Sequence, residues 1–265
     1  MVYIGDAEYW RGYAKQMGFA KTEQAEKDYL QDLLLMELYG VEHAEWLVFR
    51  GGTAIAKLYN SGRFSEDLDF ILSRAEDRAH VIQKVESGIR GMSYYYDLEH
   101  VKKDYKNMTK YTLKVNGPMY AATLNPQSRQ TISMDINLFE RPAFDPIKKQ
   151  VVPKYTDLRP YLLTVVSEKE LAADKIKAIM ERPRPVARDL YDLWVLVRRY
   201  GTAVDLNAAK EKLMAYPRAE PVRFTPASFD NKLLEIGKVW NDELKSLMRD
   251  VPRYEDVLRD IRTSL

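Results

Sequence analysis

Cysteine is absent from this 265-residue chain, and histidine occurs only three times, at His43, His80 and His100. Without cysteine there are no disulfides, no thiolate zinc site and no cysteine nucleophile. The histidines are scattered at no ligand-like spacing, so any metal is expected on oxygen ligands, which favours magnesium or manganese over zinc. Strong net charge is missing too: 41 Lys and Arg against 39 Asp and Glu leave +2, too little to signal nucleic-acid binding by bulk electrostatics. Long apolar runs are also lacking. A stretch such as Leu193 to Val197 falls far short of the roughly 18 residues of a membrane span. The opening residues MVYIGDAEYW show no basic segment followed by an apolar one, so no signal peptide is expected, and a cytoplasmic location is.

What is present is ordinary globular composition, 46% hydrophobic and 30% charged, enough for one large domain or two medium ones. Two helical patterns open the chain, the second from about Thr22 to Tyr39 with Ala25, Tyr29, Leu33 and Met36 on one stripe. A short strand, Glu45 to Arg50, precedes Gly51-Gly52-Thr53 and a short helix carrying Ala54, Ile55 and Leu58. Asp67 to Leu72 reads as a second strand, and Ala75 to Arg90 as a helix. Tyr94 to Glu140 is rich in Tyr, Thr, Val and Ile and predicts three or four antiparallel strands. From Ser167 the pattern is helical, with the proline-bearing stretch Tyr216 to Pro226 as a connection. The expected fold class is α+β: a mixed sheet with flanking helices in residues 1–155, then a helical C-terminal domain in 156–265, divided near Pro153 to Pro160.

The chemistry is concentrated in FRGGTAIAKLYNSGRFSEDLDFIL. A strand that ends in two glycines where a helix begins lets backbone N–H groups approach an anion, and Thr53 adds a hydroxyl. Thirteen residues, Ala54 to Glu66, then lead to Asp67-Leu68-Asp69. On a strand, residues two apart share a face, so these carboxylates project together, which is costly unless a cation neutralises them. An Asp-x-Asp is commonly just a solvated strand edge. Here the apolar Leu68, Phe70, Ile71 and Leu72 indicate a buried strand, on which two acids need a reason. Asp135, set between Met134 and Ile136, can complete a three-carboxylate cage for two cations of the kind used in phosphoryl displacement.

The Gly-Gly-Thr, the run Arg63 to Asp69 and the later Asp135 resemble the polymerase-beta-type nucleotidyltransferase core, and more narrowly the AbiEii toxins of abortive-infection toxin–antitoxin systems. The resemblance continues through Lys169 to Lys175 and Arg188 to Leu193, and spans roughly Phe49 to Arg199. It departs from the family pattern in having Gly-Thr for Gly-Ser and a longer spacer before the acids; a longer loop costs little closure entropy. The resemblance implies Asp67, Asp69 and Asp135 as ligands of Mg²⁺ or Mn²⁺, and Gly51, Gly52, Thr53, Lys169 and Asp189 at the nucleotide. It also implies Lys175 and Asp192 as further catalytic residues. A nucleoside triphosphate would be the substrate, RNA or the end of a tRNA the acceptor, and an antitoxin the partner, in phage defence.

The helix motifs can also be weighed physically. Ser167 and Glu170 form a capping-box pattern. Lys175 shares a stripe with Leu171, Ala172, Ala178 and Ile179, so it either passes its charge beyond an apolar stem or holds it beside a phosphate or an acid. Replacing Lys175 with Met is therefore expected to leave stability near normal while impairing use of the triphosphate. Of Asp189 and Asp192, one is expected at the site and the other paired with Arg188 or Lys175. The basic and aromatic stretch His100 to Lys114 could meet RNA, although strand faces in solution commonly look like this. Two other functions fit the same motifs: a small-molecule (antibiotic) nucleotidyltransferase, and a triphosphate-binding module without turnover, which the complete acid set disfavours.

Overall fold

The computed structural model describes residues 7–42, 44–73, 78–202, 205–216 and 225–264. His43, the start of the expected Ala75 to Arg90 helix and most of the proline-bearing connection after Tyr216 lie outside them. In chain order the elements are α1 (Ala7–Met17), α2 (Thr22–Tyr39), β1 (Leu47–Arg50), α3 (Gly51–Tyr59), β2 (Asp67–Leu72) and α4 (Arg78–Met92). Next come β3 (Leu98–Asp104), β4 (Met108–Val115), α5 (Pro118–Thr123), β5 (Gln130–Asn137), β6 (Ile147–Val151) and β7 (Tyr161–Val165). The remainder is helical: α6 (Glu168–Glu181), α7 (Ala187–Tyr200), α8 (Leu206–Ala215), α9 (Pro226–Gly237), α10 (Trp240–Leu244) and α11 (Tyr254–Thr263).

The strands form one seven-stranded mixed sheet in the order β3-β4-β5-β2-β1-β7-β6. The predicted antiparallel group is realised in β3, β4 and β5, but β5 then runs parallel to β2, and β1 runs parallel to β7. Two strands, β6 and β7, escape the sequence pattern. The boundary expected at Pro153 to Pro160 falls in the connection between them, and they pair with each other in the same sheet. Leu163 and Val165 are buried in the same apolar cluster as Phe49 and Phe70 of the central strands. The short stretch Tyr161 to Val165 lies between a proline and a helix start, so its period was masked by its brevity.

Packing follows from the apolar pattern. Helix α2 buries Leu30, Leu33, Leu34 and Leu35 on several sides at once, because both the sheet and α4 press against it. On β4, Tyr111, Leu113 and Val115 are buried while Lys110, Thr112 and Lys114 alternate outward. Helix α6 starts where predicted: the Ser167 hydroxyl accepts from the Glu170 N–H at 3.3 Å. The expected return bond is not made, because the Glu170 carboxylate turns to the N–H groups of Ala143 and Phe144 and to Lys212.

Candidate active site

Four adjacent strands set the site. Register places Arg50 of β1 beside Asp69 of β2, Asp69 beside Asp135 of β5, and Asp135 beside Lys110 of β4. Residues paired directly across a ladder share a face, with neighbouring backbones about 4.8 Å apart, so these four form one charged row. Asp67 lies on the same face, one pleat away, opposite Ser133. The register thus brings Asp67, Asp69 and Asp135 to one face of the sheet.

The turn that enters α3 is tightly built. Gly51 sits at φ +80°, a left-handed conformation, and a Cβ there would overlap the Asp69 carboxylate. At Gly52 a Cβ would overlap the Arg63 guanidinium and press on Ser65 Oγ. The backbone can therefore lie against the acids only because neither residue has a side chain. The long spacer before Asp67 is pinned: Gln31 Nε2 donates to the carbonyls of Ser65 and Glu66 at 3.0 and 2.8 Å, and Arg63 Nη1 to that of Phe64 at 2.9 Å. Thr53 takes part in this pinning. Its hydroxyl is buried, donates to the Asp67 carbonyl and lies 2.9 Å from the Ser65 hydroxyl, so it supports the loop from beneath instead of facing the cleft as expected for a phosphate contact.

Beside this turn opens a cleft of about 330 Å³, lined by Arg50, Gly51, Gly52, Asp69, Asp135, Asp174, Lys175, Arg182 and Asp189 among others. A lobe of about 160 Å³ continues past Arg182 to Lys177. Lys175 reaches the cleft from α6 and is held between Asp189 at 3.0 Å and Asp192 at 2.7 Å, both on α7. The two aspartates left open by the sequence have different places. Asp189 lines the cleft and also pairs with Arg182 at 2.7 Å. Asp192 is fully buried beneath it, in a two-point pair with Arg63. Lys169 is not brought to the cleft: it is exposed at the start of α6, 3.3 Å from Asp205 and stacked over the Phe144 ring.

Two basic residues that line the cleft, Arg50 and Arg182, are not among the expected site residues, and neither is Lys110, which flanks the cleft beside Asp135. Arg50 follows a strand directly into the glycine turn, a position that could have marked it. It pairs with Glu140 at 2.6 Å and Asp174 at 2.8 Å, and these acids hold its guanidinium well above its ordinary pKa despite burial. Lys110 lies 3.2 and 3.4 Å from the two oxygens of Asp135.

Charge at the acids is incompletely balanced by the protein. Burial, reinforced by Asp67 and Asp135 and opposed by Arg50 and Lys175, pushes Asp69 up to about 6. Asp67 is raised as well, first by burial and then by Glu66. Among the described residues no three metal-binding side chains are gathered into a ready-made cage, and Asp135 is engaged by Lys110. The donor set nonetheless fits a hard divalent cation: the candidate ligands are carboxylate oxygens, and their negative charge is only partly offset by Arg50, Lys175 and Lys110.

The comparisons with known proteins agree with this geometry. The family model described as nucleotidyl transferase AbiEii toxin, Type IV toxin–antitoxin system, matches residues 33–261. No curated protein matches the chain. Among solved structures, JHP933 from Helicobacter pylori superposes with a TM-score of 0.60 at 19% identity, covering 92% of this chain and 90% of that one. A second H. pylori protein, named as a nucleotidyltransferase, gives 0.58 at 20% identity, with 90% and 91% covered. At such identities the structural likeness speaks for the fold, and the family match speaks for the activity. The chain belongs to the AbiEii nucleotidyltransferase toxin family, whose members transfer nucleotides within toxin–antitoxin systems.

Proposed function

We propose that this protein moves a nucleoside monophosphate from a nucleoside triphosphate to a hydroxyl of an RNA acceptor, such as the end of a tRNA, as a toxin held in check by its antitoxin. The observation that carries the reading is the cross-strand row Arg50, Asp69, Asp135 beside the Gly51-Gly52 turn and Lys175.

Asp67, Asp69 and Asp135 would hold Mg²⁺ or Mn²⁺. When bound, such a cation neutralises phosphate charge and makes the acceptor hydroxyl more acidic. The bare backbone of Gly51 and Gly52 at the start of α3 receives the triphosphate oxygens. Lys175, Arg182 and Arg50 supply positive charge where the leaving group departs. The acceptor oxygen bonds to the α-phosphorus as the bond from that phosphorus to the β-phosphate oxygen breaks, and pyrophosphate leaves. The hydroxyl proton passes to the Asp135 carboxylate and on to solvent. Asp192 supports this site from below without touching substrate, and Thr53 fixes the loop that presents Asp67.

Incubation of the purified protein with α-labelled triphosphate, Mg²⁺ and total RNA tests the reading. Label precipitating with acid is expected; label confined to small molecules would point to an antibiotic-type acceptor, and its absence from every product would defeat the transferase reading of this site.

A further inference from the structure

In-line displacement fixes a direction. The attacking oxygen and the departing pyrophosphate stand on opposite sides of the phosphorus. Of the groups suited to the leaving phosphates, Arg50 lies on the β1 side of Asp69, and α6, which carries Lys175 and leads to Arg182, is tied to that side by the Asp174–Arg50 pair at 2.8 Å. The acceptor must then approach from the β5 side. There the charged row does not stop. Beyond Asp135 it continues with Lys110 of β4 and, in register with that, Lys103 of β3, the edge strand.

This half of the sheet has one covered and one open face. Tyr111 and Leu113 point inward, and the Tyr111 hydroxyl reaches Glu86 of α4 at 2.9 Å. The opposite face carries Lys110, Thr112 and Lys114 on β4 and, directly across from them, Lys103, Val101 and Glu99 on β3; Lys103, Val101, Glu99 and Lys114 are exposed. No ion pair is made by Lys103 or Lys114 among the described residues, and Glu99, which lies directly across the ladder from Lys114, is engaged by Arg129 at 3.2 Å. Tyr105, 51% exposed, stands opposite Met108, which lines the cleft. The open face therefore offers the ammonium groups of Lys103 and Lys114, neither held in an ion pair among the described residues, and an exposed aromatic ring, continuous through Lys110 with the acids that would activate the attacking hydroxyl.

We propose that the open face of β3 and β4, from Lys110 and Lys103 to Lys114, is the docking surface for the acceptor's backbone, and that the acceptor is a single-stranded polynucleotide whose end reaches Asp135. A strand of phosphates is the partner whose repeated negative charge matches ammonium groups spread along a strand face, and its bases can stack on Tyr105. The proposal rests on the reading of the site as a nucleotidyltransferase centre. A small-molecule acceptor would need only Asp135 and would leave Lys103 and Lys114 without a role.

The test measures binding of a short fluorescein-labelled single-stranded RNA to the full chain by anisotropy over a series of salt concentrations, without triphosphate. The wild type is expected to bind with log affinity falling linearly against log salt. In Lys103→Gln/Lys114→Gln the slope should become shallower by about 1.4, since each lost contact on a single strand removes about 0.7. Lys148→Gln, exposed on the far edge strand, should leave the slope unchanged. In the transfer assay the double variant should raise KM for RNA several-fold. An unchanged slope in the double variant, or no RNA binding by the wild type at low salt, overturns the surface even when nucleotide transfer proceeds. Conversely, lysine-dependent RNA binding by a wild type that transfers nothing would uphold the surface and remove the transferase reading.

Discussion

Arg63 and Asp192, 129 residues apart in sequence, meet through two parallel hydrogen bonds of 2.6 Å in the buried interior below the glycine turn. The guanidinium occupies the space that a Gly52 side chain would need, and Asp192 also holds Lys175. One buried pair thus joins the start of α3, the spacer loop and the helical half of the site. Such a pair contributes little relative to an apolar replacement, but removing one partner leaves an uncompensated charge. Arg63→Met is expected to cost about 3–5 kcal/mol in denaturant unfolding. Arg63→Met/Asp192→Leu should recover part of that loss while triphosphate binding stays impaired. A single variant within about 0.5 kcal/mol of wild type would show the pair to be dispensable.

Lys175 gives a second prediction, and here the structure changes the expectation. Its ammonium is not carried past an apolar stem but is buried between Asp189 and Asp192. Lys175→Met should therefore lose stability, by about 3 kcal/mol, as well as weaken triphosphate binding. Comparing triphosphate affinity per folded molecule separates the two effects. Normal affinity in the folded fraction would remove Lys175 from the site.

The acids should show a pH signature. Asp69 titrates near 6 in the metal-free protein because burial disfavours its charged form. A folded-state pKa above the unfolded value stabilises the fold fully below about pH 4 and loses that contribution as pH rises through about 6. Asp69→Asn should consequently be more stable than the metal-free wild type at pH 7, by on the order of 3 kcal/mol, with the difference vanishing toward pH 4. Cation binding must discharge the same proton, so calorimetry at pH 6 in two buffers of different ionisation enthalpy should detect proton release. No difference between the buffers would dissociate Asp69 from the cation.

How much of this was legible in the sequence depended on range. Asp67 and Asp69 could be read because two residues apart on a strand is a local relationship, and Gly51-Gly52 because strand, glycine and helix follow one another directly. Asp135 was legible only through its apolar neighbours and the family pattern; its register beside Asp69 is a property of the sheet. The Arg63 fork, the engagement of Asp135 by Lys110 and the burial of the Thr53 hydroxyl depend on partners that tertiary packing chooses. Lys169 shows the converse. It stands in a motif, yet its place in the first turn of α6 directs it toward Asp205 and away from the cleft. Strands β6 and β7 went unread because Ile147-Lys-Lys-Gln-Val151 is largely polar and Tyr161 to Val165 is a short apolar run that periodicity cannot tell from the start of the helix after it. The comparably short β1 was marked by the glycine turn that follows.

The last prediction joins the chemistry to the family's biology. Expression of the wild-type chain alone in a bacterial host should arrest growth, and co-expression of its antitoxin should relieve the arrest. Asp69→Asn should be harmless if arrest requires transfer, since the substitution keeps the shape of the side chain but removes the charge that would hold a cation. In vitro, the same variant should lose more than about 100-fold in transfer rate, equivalent to roughly 2.7 kcal/mol of transition-state stabilisation. Relief of arrest counts only when the variant accumulates to wild-type level, because a degraded protein is harmless for a different reason. Asp69 favours this control, as its replacement is expected to raise metal-free stability and so to protect abundance. An Asp69→Asn protein that accumulates, transfers nothing and still arrests growth would show that toxicity arises elsewhere on the molecule. The open face of β3 and β4 would then be the first place to look, and Lys103→Gln/Lys114→Gln on the inactive background would decide whether RNA capture alone is toxic.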